Sequence, residues 1–222
     1  GAEALTRSSR QLSSLNTIEK LPEQILEQLH QALPYERGVL FIEDVNGNPI
    51  MDRSIADKTR RFCSDAPDGS SLIHLKNAKV DGVNTPVFHV VQFEYNSKDQ
   101  SGADTYGQLP SQIAILTLDQ DQKTGHLELK KYFNVNTAPV HGLWITCGAS
   151  LSPWNTHLSS EEYEPDAFNQ GIGGPPVAGI GKYFFNNDMS KVKPYNYGHL
   201  PEVIVNLDGT GSIKKHYCLG RI

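Results

Sequence analysis

The chain has 222 residues, with 25 acidic against 20 basic side chains and a formal net charge of −5, and is long enough to bury a core as one large all-β domain or two smaller ones. No basic run interleaved with aromatics is present, which argues against nucleic-acid binding, and the modest acidic excess points to no particular partner. No apolar stretch approaches the roughly 18 residues of a bilayer-spanning helix, so a soluble chain with no transmembrane segment is expected.

The chain begins with glycine rather than methionine, compatible with removal of a signal peptide or with an added residue. A polar leader covers residues 1–14. Ile18, Leu21, Ile25, Leu29 and Leu33 then recur at spacings of three and four, which predicts an amphipathic helix. Asn16 with Glu19 supplies a capping box, Pro22 fits a first helical turn, and Pro34 ends the pattern. Residues 1–35 are therefore read as leader and helix, and residues 36–222 as the main body.

From Gly38 the pattern turns toward strands. Val39 to Ile42 is a short apolar run, Asn46-Gly47-Asn48-Pro49 a turn, and Pro67-Asp68-Gly69 a second turn ahead of the strand Leu72 to Leu75. Val87 to Tyr95 is among the strongest strand signals. The loop Asn96 to Gly107 that follows is rich in Gly, Ser and Asp, the composition of a surface loop able to carry function.

Two segments resemble each other. Ile113 to Asp119 leads through Thr124-Gly125 into Leu127 to Phe133, and Val203 to Asp208 leads through Gly209-Thr210-Gly211 into Ile213 to Tyr217. Each is a strand ending in Leu-Asp, a glycine turn and a returning strand with a lysine pair, the pattern of a β-hairpin. The two Leu-Asp positions lie about 90 residues apart, roughly twice an ordinary propeller blade. An all-β chain forming part of a β-propeller, several blades with the N-terminal helix against them, is the predicted architecture.

Between the hairpins lies the stretch with the most chemistry, Trp144 to Asp166. It carries a thiol, two tryptophans, an imidazole and several carboxylates with no lysine or arginine. Unpaired carboxylates repel unless a cation holds them, so the composition suits either a metal site or a solvated polar loop. Gly142 to Cys147 alternates like a strand, Ser152-Pro153-Trp154 breaks it, and His157 to Glu162 resumes it. On a strand Glu161 and Glu162 face opposite ways. Cys147 with one of these glutamates is the candidate metal pair, a thiolate suiting a transition metal and carboxylates suiting iron or calcium. With Cys63 and Cys218, Cys147 makes an odd and sparse cysteine set in which at least one is free, paired elsewhere or ligating.

Trp144-x-x-Cys147, Ser152-Pro153-Trp154-x-Thr156 and Glu161-Glu162 together resemble the signature of the PhoX-type bacterial alkaline phosphatases. Pro67-Asp68-Gly69-Ser70, Gln92-Phe93-Glu94-Tyr95, Tyr106-Gly-x-Leu-Pro110 and Cys218-Leu-Gly220-Arg221 extend the resemblance, in consistent order, over roughly residues 36–222. It implies a periplasmic or secreted β-propeller phosphomonoesterase with a mixed Fe3+ and Ca2+ centre, in which Cys147 ligates ferric iron and a glutamate of the pair, Glu162 before Glu161, ligates metal. It also implies a phosphate ester as substrate. The chain departs from the pattern with Asn155 where the family often has glycine and His157 where it often has tryptophan, so His157 is either an extra polar group near the phosphate or a surface substitution. The family continues through further blades beyond the Gly-Arg element, so a second polypeptide completing the ring is expected. The alternatives are a calcium-binding propeller with altered chemistry and an extracellular assembly component.

Other patterns imply less. Gly171-Ile-Gly-Gly-Pro-Pro lacks the Gly-Lys-Ser/Thr of a nucleotide loop and reads as irregular surface. Asp119 to Gly125 and Asn206 to Gly211 read as hairpin turns, and no Gly-x-Ser-x-Gly elbow is present.

Overall fold

A computed structural model describes residues 40–64, 66–95, 97–168 and 175–221. The predicted helix from Ile18 to Leu33, the leader and the glycine segment 171–174 lie outside these residues. The described residues are mostly β. Strands β1 (Leu40–Phe41) and β2 (Cys63–Ser64) form a short pair. Strands β3 (Pro67–Ile73), β4 (Pro86–Phe93), β5 (Gln112–Gln120) and β6 (Leu127–Asn134) form one antiparallel sheet in that order. Strands β7 (Thr146–Leu151), β8 (His157–Glu161), β9 (Pro201–Val205) and β10 (Gly211–Lys215) form the second. Among the described residues the two sheets close into neither a barrel nor a complete ring. No helix there is long and apolar enough to cross a membrane.

Each sheet is a meander of neighbours in sequence, which needs only short turns between strands. The first strand of one sheet packs beside the first strand of the other, β3 along β7. The facing sides supply one core: Ile73, Phe88, Val90, Ile113 and Ile115 from the first sheet meet Val203, Val205 and Ile213 from the second. Alternation explains the selection, since from Phe88 onward every second residue of β4 is buried. Residues on the other faces are more open. Leu129 and Tyr132, which pair with Leu118 and Leu116, are about half exposed, and Ile204 of β9 is 36% exposed.

Both predicted hairpins form, β5 with β6 and β9 with β10. The first turn is held by Asp121, which accepts from the amides of Lys123 and Thr124, and the second by Asp208, which accepts from Thr210. Two other expectations change. Pro67-Asp68-Gly69 is part of β3 rather than a turn before it, because an irregularity between Pro67 and Ser70 accommodates an extra residue against β4. Gly142 to Ile145 is outside the strand, which starts at Thr146. Ile145 has a left-handed backbone, φ 49°, a conformation that a β-branched residue adopts only when its surroundings impose it. Its carbonyl accepts from the Glu162 amide at 2.8 Å.

Ahead of β9 lie short helical pieces that no periodicity in the sequence announces. They include α1 (Pro175–Gly179), a π-helical turn over Ile180–Phe184, and single 3-10 turns at Met189–Lys191 and Pro194–Asn196. Phe184, Ile180 and Tyr197 pack with Trp144 and Ile145 into a second core, which fixes the entry to β7.

Candidate functional site

Glu161 and Glu162 do face opposite ways, and their surroundings are unlike. Glu161 is fully buried. One oxygen accepts from the Trp144 amide at 2.8 Å and pairs with the Lys215 ammonium at 2.9 Å; the other accepts from the amides of Gly198 and His199 at 2.9 and 3.1 Å. Lys215 is equally buried, and its ammonium also lies 4.7 Å over the Tyr197 ring. Every strong donor around Glu161 is thus spoken for within the protein. This glutamate ties β8 to β10 and to the segment before β9.

Glu162 points to the other side, where its charge acts on the Cys147 thiol. Both first strands deliver their side chains to this spot from irregular positions. Asp68 lies in the bulge of β3; Cys147 lies in the matching irregularity of β7, between Thr146 and Ala149. A bulge re-aims a side chain that regular alternation would send elsewhere. The strands approach so closely that a Cβ on Gly69 would stand 2.5 Å from the Ala149 Cβ and 2.8 Å from the Cys147 carbonyl oxygen. Only glycine fits there.

Glu94, one residue beyond β4, and Glu162, one beyond β8, complete the group. The side chains pair: the Cys147 thiol with the Asp68 carboxylate, Glu94 with Glu162, and the Tyr163 hydroxyl with Glu162. Burial, followed by the bond to Glu162 and the charges of Glu162 and Asp68, pushes the Glu94 carboxyl up to about 7. Burial, followed by the charge of Asp68, its bond, and the more distant Glu162 and Glu94, pushes the Cys147 thiol up to about 11. Below about pH 7 Glu94 therefore carries a proton toward Glu162, and the Cys147 thiol stays protonated.

Three carboxylates and one thiol are the donor types of a centre that takes hard cations together with one softer transition metal. The donors pair with one another, and among the described residues no three His, Cys, Asp or Glu side chains converge as a ready-made metal cage. The fit is one of chemistry and neighbourhood. Glu94→Gln tests the crowding directly. A carboxyl raised in the fold from 4.5 to about 7 contributes stability that is full below 4.5 and is lost as pH rises through about 7. In chelator, Glu94→Gln is therefore expected to melt above wild type at about pH 8, by about 1 kcal/mol after allowance for solvent screening, with no advantage at about pH 4. Parallel melting curves for both proteins across that range would show that the pair is not under charge strain.

Behind Cys147 lies a buried polar chain. His157 is fully buried between the sheets, which corrects its reading as a surface substitution. Its Nδ1 is 2.9 Å from the Ser71 hydroxyl and its Nε2 is 3.0 Å from the Gln92 side-chain oxygen. The Gln92 amide nitrogen donates to the Cys147 carbonyl and, at 3.4 Å, to that of Gly148. Burial, with a smaller contribution from His89, holds the His157 imidazole down at about 4, so it is neutral at ordinary pH.

Cys147 and Glu162 are thus brought together, and Glu161 is placed apart from them. Asp68 and Glu94 were not singled out by the sequence reading, although both lie in stretches that carry the family resemblance. Tyr106 and Tyr95, whose rings stack edge to face at 4.8 Å, flank the group. Cys63, Cys147 and Cys218 are all free thiols. Compared with protein families, with curated proteins and with solved structures, the chain matches none.

Proposed function

We propose that the chain is the N-terminal part of a secreted or periplasmic metal-dependent phosphomonoesterase built on a β-propeller, of the type its sequence resembles. The observation that supports this reading is the neighbourhood of two donor pairs, Cys147 with Asp68 and Glu94 with Glu162, whose charges act on one another at the junction of two four-stranded meanders. Two four-stranded meanders that touch along β3 and β7 support this reading, since propeller blades are four-stranded sheets set side by side around an axis, and the half-exposed Leu129 and Tyr132 of β6 suit a further blade.

In this reading Cys147 and Glu162 would hold Fe3+ and Ca2+ with Asp68 and Glu94 as further donors, while Glu161, held by Lys215 and three amides, positions β8. Bound there, the cations supply charge neutralisation for a phosphate ester and an activated oxygen nucleophile. To serve as donors Cys147 and Glu94 would have to lose their protons to solvent, and the Gln92 bonds to the Cys147 and Gly148 carbonyls hold the strand that presents the thiol.

Elemental analysis and the visible spectrum of the purified protein, for wild type and Cys147→Ala, test this reading. Iron with calcium is expected, with a thiolate charge-transfer band absent from the variant, and with a loss of p-nitrophenyl phosphate hydrolysis of at least about 100-fold on that substitution. Calcium alone or no metal, with Cys147→Ala as stable as wild type, would instead make Cys147 a structural residue and move the function to binding.

A further inference from the structure

The four side chains of the Cys147 group have one thing in common: among the described residues none of them has a ladder partner. Asp68 falls between the paired positions Pro67 and Ser70 of β3, and Cys147 between Thr146 and Ala149 of β7. Glu94 lies one residue past Phe93, where the pairing of β4 with β5 ends, and Glu162 lies one past Glu161, which pairs with Thr146. Positions beyond the end of a ladder fray readily. Bonds other than those of the sheets have to hold these residues.

Two buried hydroxyls supply them. Ser111, 2% exposed, precedes β5, and Thr146, 0% exposed, opens β7. The Ser111 hydroxyl donates to the Glu94 carbonyl and accepts from the Thr146 amide at 3.2 Å. The Thr146 hydroxyl donates to the Phe93 carbonyl at 3.0 Å. Both carbonyls that bracket Glu94 are therefore fixed to the residue just before Cys147.

The same corner gathers the other two side chains. The Ser111 amide donates to the Leu143 carbonyl at 2.9 Å, which seats the hydroxyl, and the Glu162 amide donates to the Ile145 carbonyl at 2.8 Å. The Glu94 amide donates at 2.8 Å to the carbonyl of Ala66, two residues ahead of Asp68. Gln92 holds the backbone of Cys147 itself. Ser111 and Thr146 hold Glu94 relative to it.

A buried hydroxyl needs a partner wherever it stands. Here both reach the backbone on either side of one carboxylate, at the place where the ladder of β4 stops and that of β7 begins. Groups that orient a ligand-bearing residue from behind in this way commonly matter to a metal centre almost as much as the ligands do.

We propose that Ser111 and Thr146 are positioning residues of the Cys147 group, their hydroxyls clamping Glu94 at a set distance from Cys147 so that the Glu94–Glu162 and Cys147–Asp68 pairs stay side by side. The role of the clamp in cation binding rests on the reading of these four side chains as a metal centre.

Thr146→Val and Ser111→Ala each remove one hydroxyl, and Thr146→Ser keeps one in place. Losing a single hydrogen bond is too little to unfold a domain, which melting curves verify. Calorimetric titration with calcium is expected to show affinity about tenfold lower in Thr146→Val and Ser111→Ala, and close to wild type in Thr146→Ser. In chelator, 13C NMR of the Glu94 side chain is expected to show its titration midpoint moving down from about 7 in the two hydroxyl-free variants, as the pair with Glu162 loosens and water enters, and staying put in Thr146→Ser. Variants that melt lower yet keep both the calcium affinity and the Glu94 midpoint would overturn the assignment and make Ser111 and Thr146 packing residues. So would Thr146→Ser behaving like Thr146→Val. Absence of calcium uptake by wild type would overturn the metal-centre reading, whereas an unmoved Glu94 midpoint in chelator would overturn the clamp, so the two failures are distinct.

Discussion

Glu161→Ala is expected to destabilise the protein by about 4 kcal/mol or more, the cost of leaving one partner of a buried ion pair alone. The Lys215 ammonium would remain with no exposure to water and would keep only the Asn196 carbonyl at 2.9 Å and the face of Tyr197. Burial already pulls Lys215 below its ordinary value, and the Glu161 charge is what offsets it. The amides of Trp144, Gly198 and His199 would lose their acceptor at the same time. Domains commonly have only about 5–15 kcal/mol in total, so the variant is expected to sit near the edge of folding. Urea midpoints for Glu161→Ala and Glu162→Ala provide the comparison, because the two residues are neighbours with opposite assignments. Equal midpoints would show that Glu161 is not the structural member of the pair.

The second large effect is expected at Glu202, with a clear pH signature. Its side chain is 2% exposed. Burial by itself would raise its carboxyl, but the Trp154 indole at 2.6 Å, the Thr156 hydroxyl at 2.7 Å, Lys214 at 3.0 Å and His216 at 2.8 Å outweigh it and hold the group down at about 2. A depressed carboxyl contributes stability above its unfolded value of 4.5 and loses it as pH falls through about 2. Glu202→Gln is expected to cost about 2–3 kcal/mol at about pH 6 and close to nothing at about pH 2. Lys214 is half exposed and contributes little, so most of the effect belongs to Trp154 and Thr156. A variant whose deficit is the same at both pH values would overturn this account.

Much of the strand architecture was legible in the sequence because alternation and glycine turns act locally. The β5–β6 and β9–β10 hairpins follow from strand ends at Asp119 and Asp208 and the turns beside them, and the break at Pro153 separates β7 from β8 as expected. The bulges were not legible. Pro67-Asp68-Gly69 has turn composition, and only the approach of β7 to Gly69 makes it part of a strand. Ile145 reads as a strand residue by propensity, and the surrounding core overrides that preference. The candidate site was half visible for a related reason. Cys147 and Glu162 lie within one stretch, whereas Asp68 and Glu94 reach them only through contact between the sheets, which no local pattern encodes. The burial of His157 and Lys215 was not legible either, because Ser71, Gln92 and Glu161, their partners, are likewise remote in sequence.

The Ser71, His157 and Gln92 chain also has a direction. The Gln92 nitrogen faces the Cys147 carbonyl, so its oxygen must accept from His157 Nε2, and His157 Nδ1 is left to accept from the Ser71 hydroxyl. Each link dictates the next, from a hydroxyl on β3 to the backbone of β7. Apolar surfaces packed face to face tolerate sliding, since one branched side chain substitutes readily for the next. A string of donors and acceptors in fixed sequence does not: displacement by one residue pair would strand an imidazole and an amide where water cannot reach. The chain therefore works as a key that admits one alignment of the two sheets, and that alignment is the one that brings Asp68 opposite Cys147.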